Sequence, residues 1–400
     1  MEKLKYISYM DNSGYSVAAR AYIAALSDAG FSVTWESISG HNPKKDVVPE
    51  NLREFYYKNI DYDYVLIHAM PSHFPRFVNS ERQVGKKIIG YTVWEHDFLP
   101  ETWVKEINLL DAVIVPCSWN KECFINSGIS VPVFVVPHLS QFYGDKGYEE
   151  LIKNKDASGL SSLEASVCSK ALVPYKTNGA VIFYHIGFWS ERKSPSAVVK
   201  AYLNEFKSGD NVLLVIKTSK KDLTWRGRSW RNFYRKKSLN TKVSFQRILR
   251  SYDDPARILF IDREDLSNKD LLAIHLYSDC FVSLARTEGW GMGAFDATLI
   301  SNSVIMPGYG GQMDFLDSKR SLIVNYRLVP VNEPVWSDNY DDRHQWAEPD
   351  IKHAQLLMRS YLENKNHYDN KAIELSIINK KKFSVSSVVD GFRKAFAACS

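Results

Sequence analysis

Short apolar, β-branched runs recur along this chain, separated by longer stretches in which apolar residues return at helical spacing. That alternation points to parallel sheets, because neighbouring parallel strands need a crossover between them and a helix is the usual one. In the first half the spacing predicts strands over residues 4–9, 32–36, 64–68, 87–93, 112–115 and 133–136. Helices are predicted over 16–29, 100–110 and 119–127, with Ser118 placed to cap the last and Gly128 to stop it. After Pro137 the rhythm breaks. Residues 144–178 are polar, and the segment closing on Pro174-Tyr-Lys-Thr-Asn-Gly179 reads as a loop or helix followed by an interdomain linker.

The rhythm resumes with strands over 181–186, 212–217, 258–262, 280–284, 303–306 and 321–324. Helices are predicted over 194–206, 268–277, 292–300, 351–363 and 384–398. The predicted class is α/β, with a Rossmann-like domain over 1–178, a second over 179–380, and a closing helix over 381–400 packing back on the first. At 400 residues each domain is large enough to bury its own core. In such sheets ligands collect beyond the carboxyl ends of the strands, so the informative residues should follow strands.

Composition narrows the class further. Hydrophobic residues at 45% and charged residues at 24% suit a globular protein rather than a disordered one. The start, Met1-Glu-Lys-Leu-Lys-Tyr, leads straight into a strand without a leader pattern, and no apolar run approaches the roughly 20 residues of a membrane helix. Five scattered cysteines lack metal-ligand spacing and read as reduced thiols, so the expected location is cytoplasmic. The net charge of +5 is uneven: between Lys217 and Arg250, Lys and Arg crowd against a single acid, Asp222.

The strongest chemical signal is Leu284-Ala-Arg-Thr-Glu288-Gly-Trp-Gly-Met-Gly-Ala-Phe-Asp296, which ends a strand and opens a helix. Gly289, Gly291 and Gly293 let backbone N–H groups approach a ligand, and the start of a helix carries partial positive charge suited to a diphosphate. Glu288 and Asp296 can accept hydrogen bonds from the hydroxyls of a sugar and a ribose on either side of that diphosphate. This chemistry fits a nucleotide sugar.

A Glu, a second acid eight positions on, a helix and then Pro-Gly-Tyr-Gly-Gly-Gln resembles the signature of glycosyltransferase family four, of GT-B fold. The resemblance implies two Rossmann-like domains facing across a cleft, transfer with retention, and no cofactor or metal beyond the nucleotide-sugar donor. It puts Glu288 at the donor sugar and Asp296 at the ribose, although Asp296 is one methylene shorter than the family's second Glu. Tyr184-His-Ile-Gly187-Phe-Trp-Ser-Glu-Arg192-Lys193 is similar to the segment whose Lys meets the donor phosphates. Lys193 is the match, Arg192 an added cation, and Phe188 stands where the family often has Arg. With them, Gly187, Gly291, Met292 and Gly293 complete the expected donor site. Asp11-Asn-Ser-Gly14 looks like the family's glycine loop. Tyr91-Thr-Val-Trp94-Glu95-His96-Asp97 resembles the strand end that carries a His beside the transferred sugar, and Glu95 and His96 are favoured over Trp94 for contact with substrate. The segment Val136-Pro-His138 is also similar, with His138 in place of the usual Asn.

The implied reaction moves a hexose from a UDP- or GDP-linked donor to a hydroxyl of a glycan or lipid-linked acceptor, in surface-polysaccharide synthesis. A nucleotide-sugar epimerase of similar shape and a non-catalytic glycan- or nucleotide-binding protein stay open. His68, His73 and His185 read as core histidines. The aspartate pairs Asp61/Asp63, Asp253/Asp254 and Asp341/Asp342 read as turns rather than metal ligands. The basic stretch 217–250 reads either as a solvated insertion or as peripheral contact with an anionic membrane at its inner face; no nucleic-acid motif accompanies it.

Overall fold

The computed structural model describes residues 2–144, 166–224, 240–334 and 339–399. The chain divides into two compact units, Met1–Lys146 with Lys380–Ser400, and Gly147–Asn379.

In the first unit β1 (Lys3–Ser8), β2 (Ser32–Ser37), β3 (Tyr64–His68), β4 (Lys87–Tyr91), β5 (Ala112–Val115) and β6 (Val133–Val135) form one sheet in the order β2-β1-β3-β4-β5-β6. Every pairing is parallel. Helices α1 (Gly14–Asp28), α2 (Phe74–Gln83), α3 (Glu101–Ile107) and α4 (Ser118–Asn126) connect them. The sequence pattern passed over α2. Helix α4 is capped by the Cys117 thiol, which accepts from the Asn120 N–H, so Ser118 is the first helical residue and not the predicted cap. A strand end leaves Cys117 extended, with φ −147°, and that backbone turns its short side chain back onto the first turn.

The second unit carries α5 (Val167–Thr177), β7 (Val181–Ile186), α6 (Pro195–Glu205), β8 (Val212–Lys217), α7 (Thr241–Leu249), β9 (Ile258–Ile261), α8 (Asn268–Tyr277), β10 (Cys280–Val282), α9 (Met292–Leu299), β11 (Ser303–Pro307) and β12 (Leu322–Val324). These strands make a parallel sheet in the order β12-β11-β10-β7-β8-β9. A hairpin of β13 (Tyr326–Pro330) and β14 (Gln345–Pro349), absent from the sequence reading, and then α10 (Ile351–Glu363) and α11 (Lys365–Lys382) follow. All but the last residue of β7 and of β8 are buried, as expected for a parallel sheet covered on both faces.

One segment departs from the predicted boundaries. Helix α5 runs through Pro174 to Thr177, where a linker was expected, and it belongs to the second unit rather than to a domain ending at 178. Its anchors are Val167 N–H on Asp270 at 3.0 Å and Lys176 on Asp279 at 2.6 Å. Helix α12 (Val385–Ala397) lies in the first unit, where Phe392 meets Tyr22 at 5.1 Å between ring centroids and Phe396 stacks on Tyr64 at 5.0 Å. The central part of the basic stretch, residues 225–239, lies outside the described residues. Among the described residues no helix is long and apolar enough to cross a membrane. All five cysteines are buried, and none forms a disulfide. Asp61 pairs with Lys3 and Lys86, and Asp341 with Arg343.

Candidate functional site

In the second sheet the chain winds from β7 out to β9, then returns to the opposite side of β7 and continues through β10 to β12. The winding direction reverses between β7 and β10. Two loops therefore diverge there at the carboxyl ends, which is the usual place for a ligand in an open α/β sheet.

The first loop begins at Gly187, whose N–H donates to the Lys217 carbonyl at 3.1 Å. It ends at Ser194, held in the left-handed region at φ 45°, before Pro195 starts α6. The second loop leaves β10 and ends at Gly291. The two are stitched together by the Arg286 N–H, which donates to the Arg192 carbonyl at 2.8 Å. Across that stitch Lys193 Nζ donates to both carboxylate oxygens of Glu288, at 2.5 and 2.6 Å. Arg192 Nη1 reaches Glu288 Oε2 at 3.2 Å and the Thr287 carbonyl at 3.0 Å. The Glu288 side chain is 7% exposed, against 16% for Arg192 and 23% for Lys193. Burial pushes the Glu288 carboxyl up, but Lys193 and Arg192 outweigh it, and the group lies below its ordinary value. It is a buried anion facing two cations that still touch solvent.

A further set of contacts holds the cations in place. Arg286 donates to Glu348 at 2.5 and 3.2 Å, to the Glu191 carboxylate at 3.2 Å and to the Glu191 carbonyl. Its guanidinium lies 4.9 Å over the Trp346 ring. Thus the hairpin, the loop after β7 and the loop after β10 share one forked side chain. The buried Glu333 accepts the Arg192 N–H at 3.1 Å.

Gly291 caps α9 at φ 90°, a backbone that excludes an ordinary side chain, so the helix starts without a capping group and its positive end faces beyond the strands. Gly310 is more tightly constrained. A Cβ there would lie 2.7 Å from the Glu288 carbonyl, and φ is 106°. Its neighbour Gly311 donates to that same carbonyl at 2.7 Å. Gln312, fully buried, fastens the loop by donating to the Pro307 carbonyl at 2.9 Å and the Tyr309 carbonyl at 2.5 Å.

Of the predicted donor residues, Arg192, Lys193 and Glu288 are in direct contact. Gly187, Gly291, Met292 and Gly293 lie on the same two loops and the start of α9. Asp296 sits one turn deeper on the face that carries Gly293, 1% exposed. Gly14, Glu95 and His96 belong to the first unit. Gly14 is exposed at the start of α1; Glu95 is half-buried beyond β4; His96 is enclosed at 0% exposure, its ring 5.6 Å from Trp94. His185 and His68 are buried, as predicted, whereas His73 is only half-buried beyond β3 and is not the core histidine expected. His185 Nδ1 donates to the Val282 carbonyl at 2.9 Å, and burial pushes its imidazole down to about 4.

Arg286, Glu333, Glu348 and Trp346 went unnoticed in the sequence. Arg286 and Glu348 are 62 positions apart, and no local spacing connects them. The Pro-Gly-Tyr-Gly-Gly-Gln run did signal Gly310 and Gln312, but as part of a pattern and not as the floor beneath Glu288.

No family model matches the sequence, and no curated protein matches it. Solved structures do match over the whole chain. HepE of Anabaena, crystallised with UDP and glucose, has a TM-score of 0.66 at 10% identity, with 100% of each chain covered. Sucrose-phosphate synthase from Thermosynechococcus elongatus gives 0.63 at 14%, again with 100% of each chain covered. A UDP-forming α,α-trehalose-phosphate synthase from Burkholderia vietnamiensis gives 0.61 at 11% over 100% of both chains. The fold is that of the GT-B glycosyltransferases.

Proposed function

We propose that this chain is a metal-independent glycosyltransferase that moves a hexose from a nucleotide sugar, with retention, to a hydroxyl of a glycan or lipid-linked acceptor. The observation that carries the reading is the Glu288–Lys193–Arg192 cluster at the strand-order reversal, beside the open start of α9. Similar structures crystallised with UDP and with UDP-glucose support the donor class.

In this reading a diphosphate lies against the first turn of α9, where the helix end and the two cations offset its charge. Lys193 and Arg192 stabilise the leaving phosphate as the glycosidic bond breaks. Glu288, already ionised, orients hydroxyls of the sugar, and Asp296 takes the ribose. In this reading no carboxylate acts as a covalent nucleophile, and the acceptor attacks from the face the diphosphate leaves. The rate gain comes from positioning and fixed charges. The acceptor is held by the first unit, near Gly14 and Glu95. Surface-polysaccharide assembly and contact of residues 217–250 with anionic lipid belong to the same reading.

Thermal denaturation with a panel of UDP-, GDP- and ADP-sugars tests it. A donor at about 100 times its Kd should add roughly 2.7 kcal/mol of stability, and its consumption should require an added acceptor. Turnover of donor alone into an isomer would make the protein an epimerase. Binding without turnover under any acceptor would make it a binding protein.

A further inference from the structure

Beyond edge strand β2, on the carboxyl edge of the first sheet, lies an aromatic corner to which the reaction above gives no role. Tyr56 and Tyr57 pack edge to face at 4.9 Å, and the exposed His41 meets Tyr57 at 4.7 Å and Tyr56 at 5.4 Å. Both phenolic oxygens are engaged: Tyr56 donates to Asp46 Oδ2 at 2.9 Å, and Tyr57 accepts from the Ser37 N–H at 3.2 Å. What the half-buried tyrosines offer to solvent is therefore ring surface rather than hydroxyl.

The corner is built rather than incidental. Asp46 also accepts from the Ser37 hydroxyl at 3.2 Å and the Asn42 N–H at 3.1 Å, which closes the loop after β2 on itself. Tyr57 is held at φ 48°, a left-handed backbone that a bulky residue adopts only under constraint, and its N–H is fixed on the Trp35 carbonyl at 2.9 Å. Such strained residues cluster at ligand clamps. The loop leads back to the strand-order reversal of this sheet, since the Val47 N–H donates to the Met10 carbonyl at 2.9 Å.

At that reversal, between β1 and β3, stands another group of rings: Tyr9 packs edge-on to Tyr15 at 5.7 Å and to His73 at 5.6 Å. The two groups are about two strand spacings apart, roughly 10 Å. Flat aromatic faces suit the C–H face of a pyranose, and their repetition along one edge suits a chain of them.

We infer that His41, Tyr56 and Tyr57 form an outer subsite for a pyranose ring, so that the acceptor is an oligosaccharide extending from the β1–β3 reversal toward β2. The inference rests on the glycosyltransferase reading and names its acceptor class. Lys44 and Lys45 on the same loop are exposed, so the ring can belong to a neutral or an acidic sugar.

Saturation-transfer NMR distinguishes these, using mono-, di- and trisaccharides of the α-gluco, β-gluco, β-galacto and galacturonate series, with UDP titrated into the same samples. Affinity should rise about 3- to 10-fold from mono- to trisaccharide in at least one series. A rise in a neutral series assigns a neutral glycan, and one confined to galacturonate an acidic glycan. His41→Ala and Tyr57→Gly should each abolish the rise while leaving monosaccharide and UDP binding unchanged. Glycine keeps the left-handed backbone, so the second variant removes the ring without forcing the chain to refold. No rise in any series, or one that survives both substitutions, overturns the subsite. Failure of the wild type to bind any nucleotide sugar of the UDP, GDP and ADP panel would instead bring down the glycosyltransferase reading.

Discussion

In the second unit the residues beyond the strand-order reversal are charged: Arg192 and Lys193 after β7, Glu288 after β10, with Arg286 fastening both loops. In the first unit the same topological position, beyond β1 and β3, is lined by rings, and behind them runs a buried hydrogen-bonded network. Tyr6 meets His68 at 2.8 Å, while Tyr22 meets Tyr91 at 2.8 Å and His138 at 3.0 Å. One sheet edge presents fixed charge and a helix end; the other presents half-buried rings over neutral imidazoles. Parallel topology creates the position in both sheets, but the side chains decide what can be bound there. Under the proposed function the charged edge would take the anionic donor and the ring-lined edge the hydroxyl-rich acceptor.

The largest test of this contrast is acid. Burial holds His68 well below its ordinary 6.5 and His138 down to about 3, while His185 in the second unit is held at about 4. An imidazole that stays neutral when folded, but takes a proton when unfolded, contributes stability above its ordinary value and loses it as pH falls toward the folded value. Below its ordinary value each such group is protonated in the unfolded chain but not in the folded one, so stability falls with pH. The groups held down in this way are His68 and His138 in the first unit and His185 in the second, so the first unit should lose the more stability as the pH falls below 6.5. Hydrogen exchange followed peptide by peptide should show β1, β3 and β4 opening at a higher pH than β7 and β8. Simultaneous opening would mean that the two interiors do not differ in this way.

Next in size are the charges themselves. Glu288→Ala and Lys193→Ala should each lower transfer about 10²- to 10³-fold, with far-UV circular dichroism unchanged. The fold should survive because Arg192 and Lys193 are partly exposed and can turn to water once Glu288 is gone. Undiminished turnover in either variant would remove that residue from the donor site. The smallest effect is structural. Gly310→Ala places a methyl group 2.7 Å from the Glu288 carbonyl on a left-handed backbone, which should cost roughly 1–3 kcal/mol in thermal unfolding. An unchanged Tm would show that the Gly310 loop does not press on Glu288.

Much of the scaffold was legible in the chain. Strands 64–68, 112–115, 181–186 and 212–217 match their predicted bounds because continuous apolar runs rich in β-branched residues leave little choice. Helices 268–277 and 351–363 match for a related reason: Ser267 and Asp350 cap them with their own side chains. Helix α5 was misjudged because Pro174 reads as a breaker, although the ring is tolerated once Val167 and Lys176 are tied to Asp270 and Asp279. The hairpin of β13 and β14 was missed because its strands lack a continuous apolar run, β13 being mostly exposed and β14 having only Trp346 and Ala347 between Gln345 and Glu348. In the site, Glu288 and Lys193 could be paired by motif order, whereas Arg286 could not.

What the sequence alone determined was the alternation of strand and helix, the position of each loop after a strand, and which loops carry acids and bases. Those properties are local, set by side-chain periodicity and by caps within a few residues. Only the tertiary structure decided that β7 and β10 are neighbours, and so that Lys193 donates to the carboxylate of Glu288, 95 positions on, at 2.5 Å. Strand order depends on which long crossovers pack best over the sheet, and no short window of residues contains that information.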